Sequence, residues 1–479
     1  MREVWPVILA GGVGERLWPV SRRLYPKPFI PLRGRLSPFR QACRRLRGHI
    51  MRPPMVLASN SADHIVREDL RAEGLLGRAR LILEPNPLGT AVAAASAALI
   101  AIETRPDIPL LLMPADQHMD RPEAFMSAVQ QALPSVQDKQ IVLFGIQPQE
   151  PETQFGYIEL AEIPDGSAAK VIRFVEKPDR KTAAELIKSG KALWNAGIVL
   201  SRADVLLQAF RIHAPQLLAI ARHGLALARR DGIGIRLAPV YVHGFKPVSL
   251  DRAILEKARD LRCMAVDCGW HDLGSWSTLR KAERSNAQGN VLHGDVEVHG
   301  VFDSIVWNHG GPLLAVAGLQ NIVAVSTPDA VLLSHGERPE DVALLARKLA
   351  AQRRAQAFRP AHVSRPWGME TILGEGLGFI IKQLVIRPGA SLSLQTHRFR
   401  SETWMIAQGK VRATIGDDVL TLLPGHTAHI PKQVRHRLEN PTSHTAIVIE
   451  LQLGDRLEDN DIIRHEDVYG RASPMLEDL

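Results

Sequence analysis

The chain has 479 residues, 45% of them hydrophobic and 23% charged; that is too much for one ordinary core and points to two or three domains. Aromatic residues make up 5%, and no basic stripe interleaves with them. The net charge of +8 therefore speaks for a phosphorylated small ligand plus solvated arginines (Arg22, Arg23, Arg44, Arg45, Arg47, Arg353 and Arg354 among them), not for nucleic acid. No run approaches the roughly 18 apolar residues of a membrane helix, so no membrane partner is expected. The apolar part of MREVWPVILAGG is too short for a signal peptide. Cys43, Cys263 and Cys268 form no CxxC pair and suit a reducing cytoplasm.

In chain order, residues 1–285 alternate apolar runs with helical patterns. WPVILA, PPMVLAS, RLILE, IPLLLMPA, QIVLFGI and NAGIVLS read as strands, Thr90–Ile102 as a buried helix and Arg180–Lys188 as a shorter one. This alternation predicts an α/β domain whose mostly parallel sheet is covered on both faces. Residues 286–338 hold short β-type runs cut by Gly, Asn and Asp, a small β-rich linker module. Residues 339–360 carry a linker helix packed on one face through Val342, Leu345 and Leu349. Residues 361–471 are β-rich from about Ser364 to Leu453, with turns every 8–12 residues, as in an antiparallel sandwich or barrel. Disorder is expected only after Arg471.

The first chemistry lies at the carboxyl end of Val7–Ala10, where open α/β sheets bind ligands. Gly11, Gly12 and Gly14 let backbone N–H groups approach phosphate oxygens. A Walker loop is excluded because Glu15-Arg16 follows Gly14, and a dinucleotide fingerprint because its third small residue is Leu17. Arg16 offers a planar fork for a polyphosphate, and Lys27 is stiffened between Pro26 and Pro28. Asp116 follows the apolar run Pro109–Met113, where a carboxylate suits Mg²⁺ in a phosphate site, although a lone Asp after a strand is usually a turn former. These stretches resemble the signature of sugar-phosphate nucleotidylyltransferases, G-G-x-G-x-R-L-x-P followed by K-P. More narrowly, LWPVSRRLYPKPF resembles the mannose-1-phosphate guanylyltransferases, in the bifunctional bacterial form that ends in a mannose-6-phosphate isomerase domain.

The resemblance implies a Rossmann-like nucleotidyltransferase domain with a mixed sheet, a small β module and a C-terminal cupin β-barrel. It implies GTP and mannose 1-phosphate as substrates, with Leu9, Gly11, Gly12, Gly14 and Thr90 at the nucleotide. Arg16, Lys27, Asp116, Lys177 and Asp272 would be catalytic, and Asp116 with Asp272 of GWHDLGSW would hold Mg²⁺. Gly156 of PETQFGYIEL, Glu176 beside Lys177 in FVEKPD, and Asn195 of WNAGIVL would line the sugar; Ser249 or Asp251 is as well placed to cap a helix. Some positions depart from the family. His271 stands where Ser is usual and Gln154 where Gly is usual, and Leu88 and Gly89 replace an Arg and an Asn before Thr90. The last departure keeps a second reading open, transfer with another base or sugar. A silent sugar-nucleotide-binding regulator is a third, which the two-carboxylate site speaks against.

In the C-terminal region, Gln395, His397 and Glu402 follow Gly389 at offsets of 6, 8 and 13, and Gly409, Pro431, His436 and Asn440 continue the rhythm. Gln395 and His397 share one strand face. One amide, two imidazoles and a carboxylate make a site for Zn²⁺ or another divalent metal; satisfied polar residues inside a barrel are the plainer alternative. With RPWG at Arg365–Gly368 and the closing EDNDIIRHEDVYGR, this resembles the isomerase domain of the bifunctional enzymes. That implies mannose 6-phosphate and fructose 6-phosphate as ligands and a catalytic Arg400. Arg398, Phe399 and Thr403 replace family histidines outside the ligand positions, which leaves a non-catalytic cupin as the alternative. A homo-oligomer is compatible with everything above.

Overall fold

Strands that are apolar on both faces must be covered on both faces, and the first unit is built on that rule. A computed structural model describes residues 3–162, 166–240, 245–457, 461–466 and 469; the tail after Arg471 and parts of the closing EDNDIIRHEDVYGR lie outside them. Its strands are β1 (Trp5–Leu9), β2 (Met55–Ser59), β3 (Arg80–Glu84), β4 (Pro109–Pro114), β5 (Gln117–Met119), β6 (Ile141–Ile146), β7 (Tyr157–Leu160), β8 (Ala169–Val175), β9 (Ala192–Arg202), β10 (Arg229–Asp231), β11 (Gly234–Arg236), β12 (Leu261–Ala265) and β13 (Trp270–Asp272). Eleven form one sheet in the order β10-β11-β3-β2-β1-β4-β9-β6-β12-β8-β7, while β5 and β13 pair in a separate two-stranded ribbon. The sheet is mixed rather than mostly parallel. The segment from β11 to β4 is parallel, but β9 runs antiparallel to both β4 and β6. A central strand buried on both faces reads as an apolar run whichever way it points, so its pattern carries no direction.

Two cores flank the sheet. Thr90–Ile102, apolar all round, packs with Ala203–His213 and Pro215–Ala226 on the face that carries Val7 and Ile82. Pro38–Arg45, Asp63–Ala72 and Pro122–Gln137 cover the other. The solvated arginines need correction in two places. Arg22 is 1% and Arg45 7% exposed; Arg22 Nε donates to the Pro19 carbonyl at 2.7 Å and Arg45 Nη2 to the Gln117 carbonyl at 3.1 Å. Arg44 and Arg47 close on the Glu73 carboxylate, both at 2.9 Å.

After the sheet, Val291–His293, Ile305–Asn308 and Ile322–Thr327 stack in parallel, as do Val296–His299 and Leu314–Ala317. Buried Asn290 and Asn308 brace the turns through both ends of their amides. The helix Pro339–Ala351 belongs with this unit and Ala355–Phe358 is a separate short helix. Val342 is buried as the helical spacing predicts, but Leu345 is exposed; Ala343 and Ala346 make the packing face with Val342. No helix among the described residues is long and apolar enough to cross a membrane.

The second unit comprises Pro328–Ala330 and the chain from Arg354 on. It has a six-stranded and a five-stranded sheet, antiparallel throughout the pairs they form. Phe379–Ile386 alternates exposed or half-buried with buried residues, and Ile386, Trp404, Val411, Leu438 and Val448 from both sheets share one core.

Candidate active sites

The glycine loop leaves β1 where Leu9 accepts a hydrogen bond from the amide of Ala115 (3.0 Å), tying the loop to the strand that delivers Asp116. Gly14 is required twice over. Its φ of 74° is left-handed, and a Cβ there would stand 2.8 Å from the Cβ of Lys27 and 3.0 Å from Ser21 Oγ. Gly11 and Gly12 have open space around them, so the loop is free to receive a ligand. Lys27, 3% exposed, places Nζ 2.7 Å from Asp116 and 3.3 Å from Asp272. Burial pulls its ammonium down, but the two carboxylates outweigh burial and hold it above its ordinary value.

Two aspartates far apart in sequence thus converge on one cation, and among the described residues their remaining oxygens accept no hydrogen bond. Adjacent residues on a strand point to opposite sides. Accordingly His271 turns away from Lys27 and meets Asp120 at 3.1 Å, where His118 also arrives at 3.2 Å. Gly274 was not singled out in the sequence, yet it gives the site its room: a Cβ there would lie 2.7 Å from Asp272 Oδ2 and 3.2 Å from Arg16 Nη2. Arg16 donates to Gln154 (3.3 Å), so the residue in place of the family glycine orients the Arg16 guanidinium. Phe155 meets Trp194 and Trp270 edge-on at 5.2 and 5.3 Å, which pins this loop to β9 and β13. Together Gly14, Arg16, Lys27, Asp116, Gln154 and Asp272 line a cavity of about 660 Å³, within the ~300–1,000 Å³ usual for ligand sites.

Gly156, Glu176, Lys177 and Asn195 form a neighbouring group. A Cβ on Gly156 would lie 2.8 Å from Glu176 Oε2 and 3.5 Å from the Cβ of Asn195. Asn195 donates to Asp251 at 2.9 Å, whereas the capping hydroxyl belongs to Ser249, which accepts from the amide of Arg252 at 3.3 Å. Burial and then Asp251 push the Glu176 carboxyl up. Lys177 lies 3.4 Å from Glu176 and is 53% exposed; its φ of 50° is rare for a residue with a side chain and marks a constrained position. Thr90 is already occupied: its hydroxyl accepts from the amide of Leu250 at 2.9 Å, and the next amide, Ala91, donates to Val248. Gly89 packs so closely on Val248 that a Cβ would meet its carbonyl, so the Asn usual in the family could not stand there without moving the backbone.

In the second unit, ligand atoms of His397, Glu402 and His436 lie within 4.8 Å of one another, all buried. His436 Nδ1 faces the Val434 carbonyl at 2.9 Å, an acceptor, so it carries the proton and Nε2 presents its lone pair. That lone pair faces His397 Nε2 at 3.2 Å. Glu402 Oε2 is buried without a hydrogen-bond partner, and burial holds His436 below its ordinary value. His397 Nε2 also lies 3.0 Å from Glu402 Oε1, so two imidazole nitrogens and a carboxylate with one orphaned oxygen crowd a single buried point, a donor set that fits a divalent cation. Burial would raise the Glu402 carboxyl, but His397, His436 and Arg400 outweigh it and keep the group ionised. Gln395 joins through its amide nitrogen, 3.4 Å from His397, while its oxygen accepts from Ser393; a half-turn of the amide would present the oxygen. Arg400, 2% exposed, reaches Glu402 and His397 at 3.4 Å. Phe399 is exposed and Thr403 bonds His429, so neither joins the cluster. The adjoining cavity measures about 60 Å³, well under a usual ligand site.

A glycine loop at the carboxyl end of β1, a buried lysine, Asp116 after β4 and Asp272 from the β5–β13 ribbon beside a mixed α/β sheet define a nucleotidyl transferase, here continued by a cupin. Residues 5–289 match the family described as nucleotidyl transferase, and residues 352–467 the family described as mannose-6-phosphate isomerase C-terminal. The chain is 38% identical to the xanthan biosynthesis protein XanB of Xanthomonas campestris pv. campestris, over 98% of this chain and all of that one. It is 37% identical to the alginate biosynthesis protein AlgA of Pseudomonas aeruginosa, over 98% of each, and 36% identical to a mannose-1-phosphate guanylyltransferase of Escherichia coli, over 98% and 99%. A crystal structure described as mannose-1-phosphate geranyltransferase from Thermus thermophilus aligns with 73% of this chain and 99% of its own, at 27% identity and a TM-score of 0.63. The chain belongs to the bifunctional, type II family of mannose-1-phosphate guanylyltransferases that carry a mannose-6-phosphate isomerase domain.

Proposed function

We propose that the chain is a cytoplasmic enzyme that makes GDP-mannose and pyrophosphate from GTP and mannose 1-phosphate. The observation that carries this is the convergence of Lys27, Asp116 and Asp272 beside Arg16. An oxygen of the sugar phosphate attacks the α-phosphorus in line; the new P–O bond forms as the bond to the β-phosphate oxygen breaks, and pyrophosphate leaves. The nucleophile is already anionic, so the work is positioning and charge neutralisation. Arg16 and Lys27 serve the triphosphate, Lys177 holds the attacking phosphate, and Glu176 with Asn195 orients the sugar hydroxyls. Asp116 and Asp272 are the residues that would hold Mg²⁺, which neutralises phosphate charge when bound.

Pyrophosphate release over a grid of triphosphates and sugar 1-phosphates tests the reading. GTP with mannose 1-phosphate should be the preferred pair. Release with dTTP and glucose 1-phosphate, and none with GTP and mannose 1-phosphate, would favour the second reading, for which the tight Gly89–Val248 packing speaks. Lys177→Ala should raise the KM for the sugar phosphate while leaving nucleotide binding intact; unchanged sugar-phosphate kinetics would remove that role.

For the cupin the proposed reaction is interconversion of mannose 6-phosphate and fructose 6-phosphate. His397, Glu402 and His436, with Gln395, would hold Zn²⁺ or another divalent metal that polarises the sugar oxygens, and Arg400 would contact substrate. The small cavity has to widen for a hexose phosphate to enter. A coupled fructose 6-phosphate assay should lose its signal with chelator and regain it on adding metal.

A further inference from the structure

The cavity of about 660 Å³ has one wall that the sequence reads as a linker. Glu340, Ala343, Leu344 and Arg347 recur at i, i+3, i+4 and i+7 on the helix Pro339–Ala351, so they share one face, and all four line the cavity that Arg16, Lys27, Asp116 and Asp272 also line. Burial of Val342, Ala343 and Ala346 fixes how the helix is turned. Arg347 is thereby aimed at the glycine loop, where its Nε lies 2.7 Å from Glu15 Oε2.

Glu15 sits between Gly14 and Arg16, a carboxylate inside a loop otherwise suited to anions. The pair is open to solvent, with the Arg347 side chain 65% and the Glu15 side chain 37% exposed. Such pairs contribute little, so a polyphosphate competes easily for the guanidinium, whose planar fork suits phosphate better than it suits one carboxylate oxygen. The reacting α-phosphate belongs beside Lys27 and the two aspartates. An exposed cation on the opposite wall is placed for the outer phosphates.

We propose that Arg347 is a triphosphate-binding residue that exchanges Glu15 for the β- and γ-phosphates, the part that leaves as pyrophosphate. The proposal rests on the nucleotidyl-transfer reading of this cavity, but not on which base or sugar it takes.

The test is titration of the full chain with the Mg²⁺ salts of GTP, ATP and dTTP, for the parent, Arg347→Ala, Arg347→Lys, Glu15→Gln and the double variant Glu15→Gln/Arg347→Ala. For whichever triphosphate the parent binds, Arg347→Ala should weaken binding about tenfold, with an unchanged Tm, and Arg347→Lys should recover part of the loss. If Arg347 only neutralises Glu15, the double variant regains parental affinity, and that result overturns the proposal, as does unaltered affinity in Arg347→Ala. If it contacts phosphate, the double variant stays weak. A parent that binds none of the three fails the nucleotidyl-transfer reading itself, which separates the two failures.

Discussion

Glu84 ends β3 with 9% of its surface exposed, and its Oε1 is buried without a hydrogen-bond partner. Burial pushes its carboxyl up to about 7 from an ordinary 4.5. Between those values the folded chain holds a proton that the unfolded chain has released, so stability falls as pH rises through the window and is level above it. Glu84→Gln lacks this step. Its Tm should lie near the parent's at about pH 4 and above it at about pH 8; the same difference at both pH values would contradict the account. Lys27 is the opposite case, a buried charge kept because two carboxylates compensate it. Its neighbouring prolines made stiffness legible in the sequence, but nothing local to it named Asp272 as a partner.

Strand ends carry the group of Gly156, Glu176 and Lys177. Tyr157 opens β7 immediately after Gly156, and Glu176 with Lys177 follows β8, its antiparallel neighbour. The missing side chain at Gly156 is the space that Glu176 Oε2 occupies. Gly156→Ala should therefore raise the KM for the sugar 1-phosphate and leave that for the nucleotide near parental; a change confined to the nucleotide would place Glu176 elsewhere in the reaction. At this scale the chain read well. Thr90–Ile102 and Arg180–Lys188 are helices over those residues, because helical period and apolar content are properties of a short window. The linker helix read less well. Its apolar spacing named Leu345, which is exposed, and passed over the stripe from Glu340 to Arg347, because a wall that faces a polar cavity has no hydrophobic signature.

Each compact unit holds its own group of converging side chains, Lys27 with Asp116 and Asp272 in one, and His397 with Glu402 and His436 in the other. His436→Ala should abolish isomerase activity and leave pyrophosphate release unchanged; parallel loss of both would mean that the two reactions are not separable. The order of strands and helices, the glycine loop and the Gly389-based spacing of His397 and Glu402 could all be read along the chain, since each depends on residues a few positions apart. The direction of β9, the burial of Arg22 and Arg45 and the occupied hydroxyl of Thr90 could not, and the meeting of Asp116 with Asp272 was implied only by the family resemblance. They depend on which distant segments become neighbours, and that is settled by how the sheet is ordered and what its two cores bury.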